Sequence, residues 1–163
     1  MNERMTSHDV IRSTASHIRR VGNLMADAAR RIVDRAVNHD ESKWSADEYP
    51  AFEEATPRLK SLTYGTPEYK AALAMIAPAL KHHYAANRHH PEHHAAGLDD
   101  MTLLDLIEML CDWKAAGERH DDGCIERSID MNIERFKMDP QLVRIFRNTA
   151  QEMGWLNSEG NDK

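Results

Sequence analysis

Apolar or weakly polar residues recur at steps of three and four near the start of the chain, at Val10, Thr14, His17, Val21, Leu24 and Ala28. At about 100° per residue they share one face, which predicts a long helix over roughly 7 to 37. The next stretch, NHDESKWSADEYP, loses this period and reads as polar and turn-rich, with short helical pieces at most. Thr66-Pro67-Glu68 has an N-cap followed by proline at the first helical position, and opens a helix running through Ala71 to His83. Pro78 lies inside that helix and should kink or divide it. Thr102 and Asp105 form a capping pair at the head of another helix, which Gly117 weakens near its end. A further helix is expected from about 123 to 136. A last one is opened by Asp139-Pro140 and stops at Gly154. The fold expected is all-α, a single-domain bundle of roughly five or six helices over 1–156, with 157–163 as a flexible tail.

Composition narrows the partners. The 163 residues are 41% apolar and 29% charged, enough for one self-sufficient core. Basic residues number 21 and acidic residues 27, a net charge of -6. The adjacent basic pairs Arg19-Arg20 and Arg30-Arg31 fall inside the first helical pattern. A duplex nucleic-acid partner is therefore disfavoured. A small phosphorylated ligand stays compatible, because bound divalent ions would invert the local potential. Cys111 and Cys124 form no CxxC pair, MNERMTSHDVIRS has no apolar leader core, and nowhere do eighteen apolar residues run together. A cytoplasmic protein without a membrane partner is the expectation. The methionines and the amphipathic last helix are suited to a core or to a homodimer interface.

Four features carry chemistry. His17 shares the apolar face of the first helix and is expected to point inward, as a satisfied core histidine or as a ligand. His39-Asp40, where that helix ends, offers one imidazole nitrogen and one carboxylate, and a carboxylate can bridge two ions. The segment KHHYAANRHHPEHH holds six of the ten histidines. Within it, His82 and His83 point about 100° apart, so only one faces a given centre, whereas His89, His90 and His93 can converge around Pro91. Asp105, Glu108 and Asp112 lie on one side of their helix, opposite Leu103, Leu106, Ile107, Leu110 and Trp113. Taken alone they read as the solvated face of an amphipathic helix; beside the histidines they are a source of a further carboxylate ligand.

The order His, His-Asp, histidine cluster, Asp resembles the HD-domain superfamily of metal-dependent phosphohydrolases, which is all-α. More narrowly, HDxSK, HHxxxNRHHPEH and EMxxDWxA resemble a little-characterised bacterial and phage family of that class. The resemblance implies metal ligation by His17, His39, Asp40 and Asp112, with Asp105 as the alternative to Asp112. A second ion would be held by His83 and His90, with His82 and His89 as competing choices. It further implies a metal-activated water, one or two divalent ions (Mn, Fe, Co, Ni, Zn or Mg), and a nucleotide or other small phosphate ester as substrate. Asp40, Lys43, Arg88 and Glu92 become the catalytic candidates, and Lys43, Asn87 and Arg88 the substrate-binding ones. No GYP follows the histidines, so the cyclic-dinucleotide subclass is not implied. A non-catalytic, metal-dependent module that binds a nucleotide or a partner is the alternative.

Overall fold

A computed structural model describes residues 6–63, 66–119 and 123–156; the tail expected at 157–163 lies outside the described residues. The protein is all-α, with no strand among the described residues. In chain order the helices are α1 (Ser7–Asn38), α2 (Tyr49–Lys60), α3 (Pro67–Met75), α4 (Ala77–Ala86), α5 (Leu103–Gly117), α6 (Ile125–Phe136) and α7 (Pro140–Glu152). Short 3-10 turns occupy Glu41–Trp44, Pro91–His93 and Gly97–Asp100. Its contacts divide the chain into two units, Met1–Asn38 and His39–Lys163.

The first unit is α1. The predicted helix is present, but none of its residues is buried, and His17 is exposed together with Val10, Val21 and Leu24. Within this unit α1 has no other helix to cover its apolar face, so the interior toward which His17 was expected to point is not part of it. Periodicity fixes which side of a helix is apolar, not whether that side is covered.

The second unit is built on local signals followed by packing. The helix expected across 66 to 83 is two helices: the break falls at Ile76 (φ -107°, ψ 23°), and Pro78 sits in the first turn of α4, where its missing N–H leaves no bond unmade. α2 fills a stretch the periodicity left unassigned and begins with Pro50 in its first turn. At the head of α5 the Thr102 hydroxyl accepts from the Asp105 N–H at 3.3 Å, and the Asp105 carboxylate accepts from the Thr102 N–H at 2.8 Å. α5 hands over to α6 through a close backbone approach: a Cβ at position 123 would collide with the Gly117 carbonyl, so glycine is required there. α5, α6 and α7 enclose a core of Met109, Leu110, Ile125, Ile129, Val143, Phe146 and Ala150.

The orientation of α5 reverses part of the expected pattern. Leu103 is 76% exposed and Ile107 40%, while Asp105 is 0% exposed. The carboxylate row faces inward because each acid meets a donor there, Asp105 the Arg88 guanidinium and Glu108 and Asp112 the His39 imidazole, and charges are buried where they are paired. Phe146→Ala should therefore cost about 3–5 kcal/mol of stability in urea titrations, and Leu103→Ala less than about 0.5 kcal/mol. A large loss at Leu103 would mean that α5 is turned the other way.

Candidate metal centre

All the residues gathered here belong to the second unit. The chain turns at Asp40, which adopts the left-handed conformation (φ 55°, ψ 22°), tolerated better by a short aspartate than by most side chains. The Lys43 N–H closes the turn on the Asp40 carbonyl at 2.9 Å. This turn aims the Asp40 carboxylate inward with its two oxygens facing different partners. Oδ1 lies 3.3 Å from His83 Nε2 and 3.5 Å from His89 Nε2. Oδ2 lies 3.3 Å from His39 Nε2 and 2.5 Å from Lys43 Nζ. His39 Nε2 is also 3.7 Å from Asp112 Oδ1. His90 Nε2 approaches His83 Nε2 to 2.9 Å.

A second layer fixes the imidazoles. Glu108 Oε1 accepts from His39 Nδ1 at 2.9 Å and stands 3.2 Å from His89 Nδ1. Glu48, fully buried, accepts from His82 Nδ1 at 2.7 Å through one oxygen and from His83 Nδ1 at 2.9 Å through the other. With Nδ1 turned toward a carboxylate, His39, His83 and His89 each direct Nε2 to the interior, where His39 Nε2 faces the Asp40 and Asp112 carboxylates. That arrangement is the one by which carboxylates orient metal-binding histidines. Asn87 completes it: its amide donates to Ser42 Oγ at 2.7 Å and to the His83 carbonyl at 2.8 Å.

Two overlapping donor groups result, Asp40 with His83, His89 and His90, and Asp40 with His39, His89 and Asp112. In each, one ligand atom per residue lies within 4.8 Å of the others, so either group could hold a metal ion. Two further observations support the fit. Asp40 Oδ1 and His89 Nε2 are buried with no hydrogen-bond partner, a costly state for isolated polar atoms and the natural one for atoms awaiting a cation. The donor separations of 2.9 to 3.7 Å also bracket the edge of about 3.0–3.4 Å expected between ligands bonded at about 2.1 Å to one ion.

Electrostatics follow the same geometry. His39, hydrogen-bonded by Asp112, Asp40 and Glu108, has its pKa raised to about 11. His90 goes the other way, down to about 3, through burial and the neighbouring His89 and His83. Burial likewise lowers His83. Burial opposes ionisation of Asp40 and Asp112, but the His39 hydrogen bond, joined by Lys43 at Asp40, holds both carboxyls below their usual value.

The expected site residues sort clearly. His39, Asp40, His83, His90 and Asp112 come together. His89, a competing choice from sequence, belongs to both groups, whereas His82 only bonds Glu48 and Asp47. Asp105, the alternative to Asp112, is spent on the α5 cap and on Arg88, whose Nε and Nη2 reach its two oxygens at 3.3 and 3.2 Å. Glu92 pairs with Arg135 at 2.7 Å. His17, exposed in the first unit, is in neither group. Glu48 and Glu108 went unrecognised as orienting groups. Glu108 had a signal, lying one turn before Asp112 on the same face; Glu48 had none.

Fold and donors thus define an all-α protein with a buried His/Asp cluster able to hold a metal ion. Residues 6–152 match the family described as a family of unknown function, DUF5662, and the chain belongs to it. Neither the curated proteins nor the solved structures give a match.

Glu108→Gln should weaken metal binding by about tenfold or more in chelator competition, because it removes the charge that orients two imidazoles. Since His39 keeps its proton up to about 11, an ion entering its group must displace that proton. Affinity should therefore rise with pH and protons should be released, which calorimetry in buffers of different ionisation enthalpy will count. A pH-independent affinity with no proton release contradicts the assignment of His39.

Proposed function

We propose that this protein is a metal-dependent phosphohydrolase of the HD type, acting on a nucleotide or another small phosphate ester with one or two divalent ions (Mn, Fe, Co, Ni, Zn or Mg). The observation that carries the reading is Asp40, a single carboxylate whose Oδ1 faces His83 and His89 while its Oδ2 faces His39. A carboxylate so divided suits a bridge between two ions, and from His39 onward the order of these ligands is that of the HD resemblance, whose first histidine, His17, is in neither group.

A cavity of about 370 Å³ adjoins the cluster, and His83, His90, Asp112 and Lys43 belong to its wall. A bound divalent ion supplies a water acidified toward hydroxide and polarises a phosphoryl oxygen. The chain's own share is positioning. Glu108 and Glu48 hold the imidazoles with Nε2 turned inward. Lys43, anchored on Asp40, is placed to donate to a phosphate oxygen. Arg88 is committed to Asp105, so the guanidinium on the cavity wall nearest the histidine loop is that of Arg135, and Glu92 serves to hold it rather than to move a proton.

The test is metal analysis of untagged protein, followed by a panel of nucleotides and phosphate esters assayed with each metal. Asp40→Ala should lose both the metal and hydrolysis, and Lys43→Met should lower kcat/KM by about tenfold or more. Undiminished hydrolysis in Asp40→Ala would sink the centre. Thermal stabilisation by these ligands without turnover under any metal would make the protein a binding module instead.

A further inference from the structure

Beyond the cluster the cavity is walled by side chains such as Phe52, Leu73, Trp113 and Phe136, so its few neutral polar atoms decide which organic group can be enclosed there. Three polar side chains on that wall have spent their donors on the backbone of their own helices. Asn132 Nδ2 donates to the Ser128 carbonyl at 2.9 Å, Ser128 Oγ to the Cys124 carbonyl at 3.3 Å, and Thr56 Oγ1, on α2, to the Phe52 carbonyl at 2.6 Å. A carbonyl only accepts, so these bonds fix each proton, and what the three groups have left to offer is oxygen lone pairs. Asn132 is the sharpest case. It is 3% exposed, its donated bond turns Oδ1 away from the carbonyl of Ser128, and among the described residues no donor reaches that oxygen. Oδ1 is nonetheless not one of the fully enclosed polar atoms left without a partner, so it opens onto the cavity that Asn132 lines. Ser128, Asn132 and Arg135 follow at i, i+4 and i+7 on α6 and share one face. Asn132 thus stands about 4.5 Å along the helix axis from Arg135, which Glu92 ties to the histidine loop. Solvent can hydrate Oδ1 while the cavity is open, but a ligand that fills the cavity must replace that hydrogen bond or leave a buried acceptor unmatched.

We infer that Asn132 sets the specificity of this cavity through Oδ1, and that the ligand is a phosphate ester whose organic part is an aromatic or heteroaromatic ring bearing an N–H or O–H donor. The ring answers the aromatic and aliphatic wall, and the donor answers Asn132, with Ser128 one turn further along the same face. Only the phosphate end rests on the phosphohydrolase reading; the acceptor stands on the geometry of α6. A ring of the same shape with a methyl group in place of the donor is disfavoured because it leaves the buried acceptor unpaired, a stronger penalty than a small misfit in an apolar wall.

Binding of non-hydrolysable probes separates the two claims. Manganese-loaded full-length protein is titrated calorimetrically with meta- and para-aminobenzylphosphonate and with their methyl counterparts, which match them in shape and lack the donor. The better-placed amino isomer should bind about tenfold or more tighter than its methyl counterpart. In Asn132→Leu, which keeps the shape and removes the acceptor, that ratio should fall to one or below. In Asn132→Asp, which keeps an acceptor oxygen in either protonation state, the preference should persist. Absence of binding by all four probes, equal affinities in the wild type, a ratio unmoved in Asn132→Leu, or a preference lost in Asn132→Asp as well overturns the inference. Turnover of the corresponding benzyl phosphates is read separately. A donor preference in binding without turnover defeats the phosphohydrolase reading and leaves the role of Asn132 standing; turnover without a donor preference does the reverse.

Discussion

Everything around the centre depends on keeping several carboxylates out of water. Asp40, Glu48, Glu108 and Asp112 converge within one small region of the second unit, and burying an ionised carboxylate costs several kcal/mol unless it is paired and hydrogen-bonded. Lys43 answers part of the charge on Asp40. The histidines answer the rest in two ways. His39, between three carboxylates, holds a proton and stands in for a cation. His83 and His90, pushed toward neutrality by burial, bring lone pairs instead. The cluster is thus an incomplete charge balance that a divalent cation would complete, which is why the buried Asp40 Oδ1 and His89 Nε2 can remain without hydrogen bonds.

The surrounding fold serves that balance. The histidine-bearing loop after α4 is pinned at three points, by Asn87 on Ser42, by Arg88 on Asp105 of α5, and by Glu92 on Arg135 of α6. Asn87 and Arg88, expected on the substrate, and Glu92, expected as a catalytic group, thus all take part in the framework. Their charges hold the loop against α5 and α6, and the loop holds His89 and His90. α5 in turn trades the burial of Leu103 and Ile107 for that of Asp105 and Glu108, a choice that only paired acids make tolerable.

What could be read from the sequence followed the range of each interaction. The caps at Thr102 and Asp139, the division of the helix just before Pro78 and the end of α5 at Gly117 are decided within a few residues, and all were legible. His39, Asp40 and Asp112 were legible as a pattern of donors in order. The facing of α5 was not, because it is set by partners 17 and 69 positions away, Arg88 to Asp105 and His39 to Glu108. Glu48 was hidden for the same reason, its partner His83 lying 35 positions on. The exposure of His17 shows the opposite limit: an apolar stripe was read correctly, yet nothing in its period says what covers it.

The two donor groups are not equivalent. His89 belongs to both, but its Nε2 has one lone pair and can serve one ion at a time. In the group with His83 and His90 burial pushes those two imidazoles toward neutrality and Asp40 Oδ1 has no hydrogen bond, so an ion there would break none at Oδ1. In the group with His39 and Asp112, an ion must expel the His39 proton and compete with Lys43 for Asp40 Oδ2. The proton and the ammonium would therefore compete with an ion for the second group, the more so as pH falls. Asp40 joins the two groups, because the same carboxylate meets His83 and His89 on one side and two cationic groups, His39 and Lys43, on the other.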